Sequence, residues 1–311
     1  MGERAGRVSR SPFGSADEIG MLNLMTPASR EAIMSRIDGA APYDLAVDYF
    51  VGMPSWVAAG DQPYQVWMTH TPEGTRVDNA PGAPAEQNEM VAYSGDALSM
   101  YTHTGTHIDA LNHFGYGDTI YNGFTARDHL GSRGWTRAGA DRHPPIVARG
   151  ILLDIAALHG VDELPPGHPI GDRDLDAALD LHQVDVRRGD VVLIRTGRMR
   201  AWPDPQRYLT ANPGLDLGGA QYLARRGVMM VGIDAASIEY TPHDDEVHWN
   251  PVHCFLLAEA GVAIMEVADL EALAADRVYE FGLVAAGLKL RGATGTPVRP
   301  VAFPIKRSTP L

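Results

Sequence analysis

The sequence predicts a single mixed α/β domain whose first half is rich in strands. In the second half, short apolar runs typical of buried strands alternate with segments of helical periodicity. The 33 glycines and 22 prolines favour strands and loops over a helix bundle. Hydrophobic residues make up 45% of the 311 residues and charged residues 21%, as in ordinary globular proteins. Because no repeat or low-complexity linker divides the chain, we expect a flexible arm over 1–12 and one domain over 13–311.

Local signals predict the individual elements. Thr26 followed by Pro27 is typical of a helix start, because Thr caps the first turn and Pro suits the first helical position, so a helix is expected over 28–37. A strand is expected over 43–51. The segment 52–90 holds five prolines and four glycines, which predicts a long, loop-rich excursion. The same reasoning predicts strands over 144–155, 191–194, 228–233 and 262–265, and helices over 172–183, 218–226, 251–260 and 270–275.

Charge and cysteine content exclude several classes of function. The 26 Lys and Arg against 39 Asp and Glu give a net charge of −13, which argues against binding to nucleic acid or to an anionic membrane surface. A single cysteine excludes an internal disulfide framework and a thiolate metal cage within one chain. No signal peptide is readable in the first residues, and no apolar run approaches the ~20 residues of a membrane span, so the expected location is the cytoplasm.

The most informative stretch places three histidines and an aspartate within eleven residues: His103, His107, Asp109 and His113. All four positions are odd, so an extended chain would put their side chains on one face. A helix from 103 onward is disfavoured by the threonines and Gly105, whereas 109–113 suits a helical turn. We therefore expect an extended segment that enters a helix near Asp109, with Gly105 in a close approach to a ligand or at positive φ.

These residue types point to a metal. Imidazole nitrogen and carboxylate oxygen are ligands for divalent ions such as Zn²⁺ and Mn²⁺. A lone histidine is usually structural, but three histidines and an aspartate at this spacing favour coordination. A second polar group, His243 to His248, lies between two prolines and is more typical of a solvated loop.

The run His103 to Phe114 (HTGTHIDALNHF) resembles the HxGTHxDxxxHF signature of the cyclase family, which includes bacterial kynurenine formamidases and isatin hydrolases. Further segments are similar to family strands or motifs: Arg149–Asp154, Gly189–Gly197, Gly232–Ile238, Pro251–His253 and Glu266. The resemblance implies a swivelling β/β/α fold and a site for one or two divalent ions. It assigns His103, His107 and Asp109 to the first metal, places His253 and Glu266 beside it, and makes His113 the general acid/base.

Metal-assisted hydrolysis of an amide, linear or within a ring, is the activity that these residues favour. Two alternatives stay open: a lyase or cyclase that uses the same metal without water, and a non-catalytic metal-binding or small-molecule-binding protein. No nucleophile-elbow, P-loop or dinucleotide glycine motif is present. We expect Trp56, Trp67 and Phe114 to contact a small substrate with a planar ring. The family resemblance also suggests a homodimer or homotetramer.

Overall fold

The computed structural model describes residues 8–79, 81–202, 204–242 and 249–306. The strands are β1 (Tyr43–Asp44), β2 (Gln65–His70), β3 (Gly95–Ser99), β4 (His107–Asp109), β5 (Thr119–Ile120), β6 (Phe124–Thr125), β7 (Leu130–Gly131), β8 (Gly134–Trp135), β9 (Ile146–Asp154), β10 (Pro169–Ile170), β11 (Val191–Arg195), β12 (Gly214–Leu215), β13 (Met230–Ile233), β14 (Ala263–Glu266), β15 (Glu280–Ala285), β16 (Gly295–Pro297) and β17 (Val301–Pro304). The α-helices are α1 (Pro27–Met34), α2 (Pro72–Asp78), α3 (Ala85–Asn88), α4 (Ala126–His129), α5 (Ile155–Leu158), α6 (Asp172–His182), α7 (Pro205–Leu209), α8 (Leu217–Arg225), α9 (Pro251–His253) and α10 (Glu271–Ala275). A π-helix over Cys254–Ala260 continues α9.

One nine-stranded sheet organises the chain, in the order β1-β17-β15-β9-β11-β13-β14-β4-β16. Its centre, β9-β11-β13-β14, is parallel, and the strands on either side pair antiparallel. Smaller two-stranded sheets join β2 to β3, β5 to β6, β7 to β8 and β10 to β12. The antiparallel partner β4 therefore lies next to the last parallel strand, and this position brings the sequence motif into the sheet.

Both faces of the central strands are buried, which explains their continuous apolar runs. Alternate residues point to opposite faces. Val192 and Ile194 pack in a cluster with α5, α6, α8 and the π-helix. Val191 and Leu193 pack on the other face, with the side chains of Leu22 and Leu273. Each face of the central strands thus has its own apolar layer, and the polar residues of β4 and β14 lie near one edge of this buried sheet.

The mixed α/β architecture predicted from the sequence is confirmed. The helix at Thr26-Pro27 is α1, and the Thr26 hydroxyl accepts a hydrogen bond from the Ser29 N–H at 3.1 Å. The predicted second-half strands and helices all occur within a few residues of the expected bounds, including β9, β11, β13 and β14. The periodicity of the buried second half was thus a sufficient guide to its elements.

Two local predictions are wrong, and a third holds only in part. The strand expected over 43–51 ends at Asp44, because Pro300, which accepts from Leu45 N–H, has no N–H to donate in return, and Val47 N–H donates to the Thr106 hydroxyl. The excursion over 52–90 contains β2 and two short helices, so it is not simply loop. The helix expected from Asp109 is absent from this described segment.

Asp109 instead ends β4. The strand is hydrogen-bonded on both sides, to β14 and to β16, and this pairing overrides the helical preference of the residues that follow. The next residues form a turn, closed by a hydrogen bond from His113 N–H to the Ala110 carbonyl at 3.0 Å.

The N-terminal residues that the structure describes contact the domain. Ser9 N–H donates to the Ala258 carbonyl at 3.2 Å, and the Arg10 guanidinium donates to the Asn122 carbonyl at 2.7 Å. The polar group at 243–248 lies outside the described residues. Among the helices that are described, none is both long and apolar enough to cross a membrane.

Candidate metal centre

The centre is built on β4 and its two neighbours in the sheet. In the strand register, Glu266 of β14 is opposite His107, and Gly295 of β16 is opposite Asp109. His107 and Asp109 are two residues apart on one strand and therefore point to the same face. All three side chains of His107, Asp109 and Glu266 are buried. The sheet thus fixes an imidazole and two carboxylates at one place.

His253, at the end of α9, completes a ring of four donors. His107 Nε2 lies 3.3 Å from Asp109 Oδ1 and 3.4 Å from Glu266 Oε2. His253 Nε2 lies 3.2 Å from Glu266 Oε1 and 3.7 Å from Asp109 Oδ2. Metal bonds of about 2.0–2.2 Å at tetrahedral angles would place neighbouring ligand atoms about 3.3–3.6 Å apart. The four separations, from 3.2 to 3.7 Å, lie close to this range, so the four side chains are spaced as they would be around one cation.

Outer hydrogen bonds aim both imidazoles at the ring of donors. His107 Nδ1–H donates to the Gly105 carbonyl at 2.8 Å, and Gly105 has a φ of 64°, as its sequence context predicted. His253 Nδ1–H donates to Glu239 Oε1 at 2.9 Å, and the same oxygen accepts the His253 backbone N–H at 2.8 Å. Since each Nδ1–H donates outward, each Nε2 is directed towards the centre, the orientation found in metal-binding histidines.

A second group of donors shares Asp109. Asp109 forms one candidate set with His107 and Glu266 and another with His103 and His113, and in each set the donor atoms lie within 4.8 Å of one another. His103 Nδ1 is 2.6 Å from Asp109 Oδ1, and its Nε2 is 2.9 Å from the Thr294 hydroxyl. Asp109 is therefore common to both candidate sets.

His113 lies against His103 rather than in the strand. The two rings stack with their centroids 3.9 Å apart and an interplanar angle of 24°. Burial and the nearby charge of His103 lower the pKa of His113 to about 3. Gly295 makes room for this stack, because a Cβ there would lie 2.6 Å from His103 Cε1. A glycine on β16 is therefore a steric requirement of the centre.

The residues present fit a divalent cation. His107 Nε2 and Asp109 Oδ2 are buried without a hydrogen-bond partner in the described part of the chain. Leaving a buried polar atom unpaired costs about 1–3 kcal/mol, so two of them facing the same point indicate a missing ligand. The donors are nitrogen and oxygen without sulfur, which suits Zn²⁺ and Mn²⁺ alike.

Electrostatics of the centre favour positive charge. Burial lowers the pKa of His107, but Asp109 and Glu266 raise it to about 10. Burial likewise lowers the pKa of His253, whereas Glu239 and Glu266 raise it to about 10. Burial raises the pKa of Glu266, yet His107 and His253 lower it to about 2. The carboxylate of Glu266 therefore stays ionised, and the centre favours positively charged groups beside it.

The aromatic residues predicted for the substrate lie in different places. The centroid of the Phe114 ring lies 4.5 Å from that of His113 and 4.8 Å from that of His253, beside the centre. Trp56 packs against a small apolar cluster that includes Met199. Trp67 is half-exposed on β2, with no contact to the centre shown among the described residues. Phe114 is therefore the best-placed of the three.

Sequence reasoning did not foresee that two further residues hold histidines of the centre. Glu239 holds His253, and the Thr294 hydroxyl lies against His103. A carboxylate near the end of the Gly232–Ile238 motif was a visible signal for Glu239. Thr294 carried none, because its place depends on the pairing of β16 with β4.

Comparisons with known proteins agree with this architecture. The family model named Cyclase matches residues 43–240. The chain is 28% identical to the kynurenine formamidase of Geobacillus thermodenitrificans over 248 residues, which cover 77% of this chain and 91% of that protein. A crystal structure described as a novel cyclase superposes with a TM-score of 0.83 at 29% identity and covers 94% of this chain and 95% of its own. Isatin hydrolase A from Ralstonia solanacearum has the same fold, with a TM-score of 0.63 at 18% identity over 96% of this chain and 99% of its own.

The protein is thus an enzyme of mixed α/β fold with a polar centre at the edge of its sheet. It belongs to the cyclase family, since the family model covers more than half of the chain. The family resemblance and the swivelling β/β/α fold expected from the HxGTHxDxxxHF run are both confirmed.

Proposed function

We propose that this protein is a divalent-metal-dependent hydrolase that cleaves an amide C–N bond, either linear or within a ring. The observation that carries the proposal is the buried ring of nitrogen and oxygen donors with two unpaired atoms, His107 Nε2 and Asp109 Oδ2, within the described residues. A purely structural histidine cluster would have its polar atoms satisfied. The kynurenine formamidase relative supports amide hydrolysis as the reaction class.

The residues that hold the cation are His103, His107, Asp109, His253 and Glu266. Two overlapping donor sets that share Asp109 suit either one ion or two neighbouring ions. The donors suit zinc and manganese, so availability and the exact coordination number decide between the two. When bound, the divalent cation polarises a substrate carbonyl and lowers the pKa of water towards 7.

His113 is the general acid/base. It takes a proton from the attacking water and returns it to the departing nitrogen, as a neutral imidazole beside the reacting atoms can. Its ring stacks on His103 and contacts Phe114, so it is held next to the donors without sitting on the strand that supplies them. Asp109 and Glu266 stay ionised throughout, because their buried positions are matched by imidazoles.

The substrate is a small molecule with a planar ring. The Phe114 face beside His253 offers an aromatic wall for such a ring. Arylformamides and isatin-like lactams both combine an aromatic ring with a hydrolysable amide. Trp56 and Trp67 as further substrate contacts stay predictions. So do the cytoplasmic location, the homodimer or homotetramer, and the division into an arm over 1–12 and a domain over 13–311.

Chelation and reconstitution test this function. Protein dialysed against a chelator is assayed with N-formylkynurenine, isatin and small cyclic imides, before and after addition of Zn²⁺ or Mn²⁺. We expect turnover of at least one of these amides, its loss on chelation, and its return with either ion. Full turnover by thoroughly metal-free protein would contradict the proposal.

A further inference from the structure

A second cluster of metal-ligating side chains lies outside the catalytic centre. His159, His168 and Asp174 place one donor atom each within 4.8 Å of one another. They share no residue with the centre on β4 and come from three places in the fold. His159 follows the end of α5, His168 precedes β10, and Asp174 lies in the first turn of α6.

One ring nitrogen of the three side chains has no hydrogen-bond partner in the described segments. His159 Nε2 is 3.0 Å from Asp174 Oδ1, and the rings of His159 and His168 meet edge to face with centroids 4.9 Å apart. His168 Nε2 is buried and has no hydrogen-bond partner in the segments that the structure describes. Burying an unpaired ring nitrogen costs free energy unless a ligand satisfies it.

The same pattern marks the catalytic centre. There too, an imidazole nitrogen lies against a carboxylate oxygen, His103 Nδ1 to Asp109 Oδ1 at 2.6 Å, while a neighbouring nitrogen, His107 Nε2, is buried and unpaired in the described segments. Two histidines and a carboxylate are a ligand set for zinc and related ions, with open positions that water can fill.

Local charge also suits a cation. Asp172 and Asp174 lie in the first turn of α6 with Arg173 between them, so the side chains of this turn carry a net charge of −1, which exceeds the about +0.5 charge of a helix N-terminus. Asp174 Oδ2 accepts the Gly171 N–H at 3.2 Å, which leaves Oδ1 directed to His159. One carboxylate oxygen of Asp174 therefore caps the helix start, and the other faces the imidazole of His159.

We propose that His159, His168 and Asp174 form a second, structural site for a divalent transition-metal ion such as zinc. An ion bound there joins the end of α5, the loop before β10 and the start of α6, which the chain otherwise links through the segment 159–171. The loop is already tied to the sheet by the bond from Leu164 N–H to the Thr196 carbonyl at 2.8 Å. The site stabilises this corner and takes no part in turnover.

Counting bound ions tests the proposal independently of the catalytic activity. The full chain is titrated with Zn²⁺ against a chromophoric chelator, as wild type and as the variants His168→Ala and Asp174→Asn. Asn at 174 can still accept the Gly171 N–H, so that variant removes the anionic ligand while the helix cap is kept. His129→Ala is the matched control, since His129 belongs to neither cluster and lies 3.3 Å from the Thr136 hydroxyl.

Wild type and His129→Ala are expected to bind one ion per chain more than the two cluster variants, or to bind that last ion at least tenfold more tightly. Co²⁺ absorption gives a second readout, in which the variants lose the signal of one site and keep that of the catalytic centre. Equal stoichiometry and equal affinities in all four proteins would overturn the proposal. Failure of the catalytic assay would leave this count unaffected, so the two proposals fail separately.

Discussion

Glu239 accepts two hydrogen bonds from His253, one from the backbone N–H at 2.8 Å and one from Nδ1–H at 2.9 Å, both at Oε1. One carboxylate oxygen thereby fixes both the position and the tautomer of the imidazole. His253 Nε2 then points to Glu266 and Asp109. Glu239 is a positioning residue: it acts on the centre through His253.

Glu239→Gln is expected to weaken metal binding about 10- to 100-fold, the usual effect of losing an outer carboxylate partner. Gln can still accept a hydrogen bond, but its neutral amide supports the imidazole less strongly. Metal affinity measured by competition with a chelator checks this, and excess metal should restore part of the turnover. Glu259→Gln, which alters a carboxylate bonded to the Tyr116 hydroxyl, is the control. An unchanged affinity in Glu239→Gln would show that His253 needs no such support.

We expect the roles of metal ligand and general acid/base to be separable within the motif, at His107 and His113. His107→Ala should lower metal content and turnover together, because a buried donor of the centre is removed. His113→Ala should leave metal content nearly intact while turnover falls about 10²- to 10⁴-fold, the usual contribution of a positioned acid or base. Metal analysis and steady-state kinetics on both variants check the difference.

His113 also lies in a candidate donor set with His103 and Asp109. If His113→Ala loses the metal as completely as His107→Ala, then His113 is a ligand. Glu266 would become the first candidate for proton transfer in that case.

Phe114→Ala should reduce kcat/KM for aromatic amides about 3- to 10-fold with metal content unchanged. The Phe114 ring lies beside His113 and His253, and an aromatic contact contributes about 0.5–1.5 kcal/mol. The effect should fall mainly on KM. Phe13→Ala serves as the control, since Phe13 is exposed. Equal loss for aromatic and purely aliphatic amides would mean that Phe114 supports the fold instead of the substrate ring.

Stability should depend on pH through Asp17. Burial raises the pKa of this carboxyl, but hydrogen bonds from Ser11, Ile19, Asn23 and Tyr121 outweigh burial and lower it below 3.8. A carboxylate whose folded pKa is lowered stabilises the fold above its unfolded pKa of about 4, and this contribution is lost as the pH falls through the folded value.

Asp17→Asn should therefore lower the free energy of unfolding by about 1 kcal/mol at pH 7, since the side chain is partly exposed, and the difference from wild type should shrink below about pH 4. Chemical denaturation at both pH values measures it. Asp38→Asn changes an exposed carboxylate and should have little effect at either pH. A difference that is the same at both pH values would mean that the charge of Asp17 does not contribute.

The buried second half of the fold was predictable because its signals are local. Val191–Ile194 is a short apolar run preceded by the Gly189-Asp190 turn, and its burial is that of a central parallel strand. The first half was harder, because its elements depend on partners distant in sequence. Asp109 ends a strand only since β14 and β16 flank it. One signal was overlooked: Thr71-Pro72 starts α2 in the way that Thr26-Pro27 starts α1, and the Thr71 hydroxyl accepts the Gly74 N–H at 3.1 Å.

The candidate site was predictable in composition more than in arrangement. Residue spacing indicated that His103, His107 and Asp109 would share a face, and the family resemblance added His253 and Glu266. Nothing in the spacing indicated that His107 would be opposite Glu266 in the sheet, with Asp109 common to two donor sets. These relationships arise from strand register, which a single sequence does not encode locally.

Amide hydrolysis dependent on a divalent metal is tested most directly by the fate of solvent oxygen. The zinc- or manganese-loaded protein is supplied with the amide that it turns over, in ¹⁸O-labelled water, and the products are analysed by mass spectrometry. We expect one ¹⁸O atom in the product carboxylate, and we expect this labelled product to form only while the metal is bound. An unlabelled product would indicate a lyase or cyclase, and labelled product formed at full rate by metal-free protein would contradict the role of the metal.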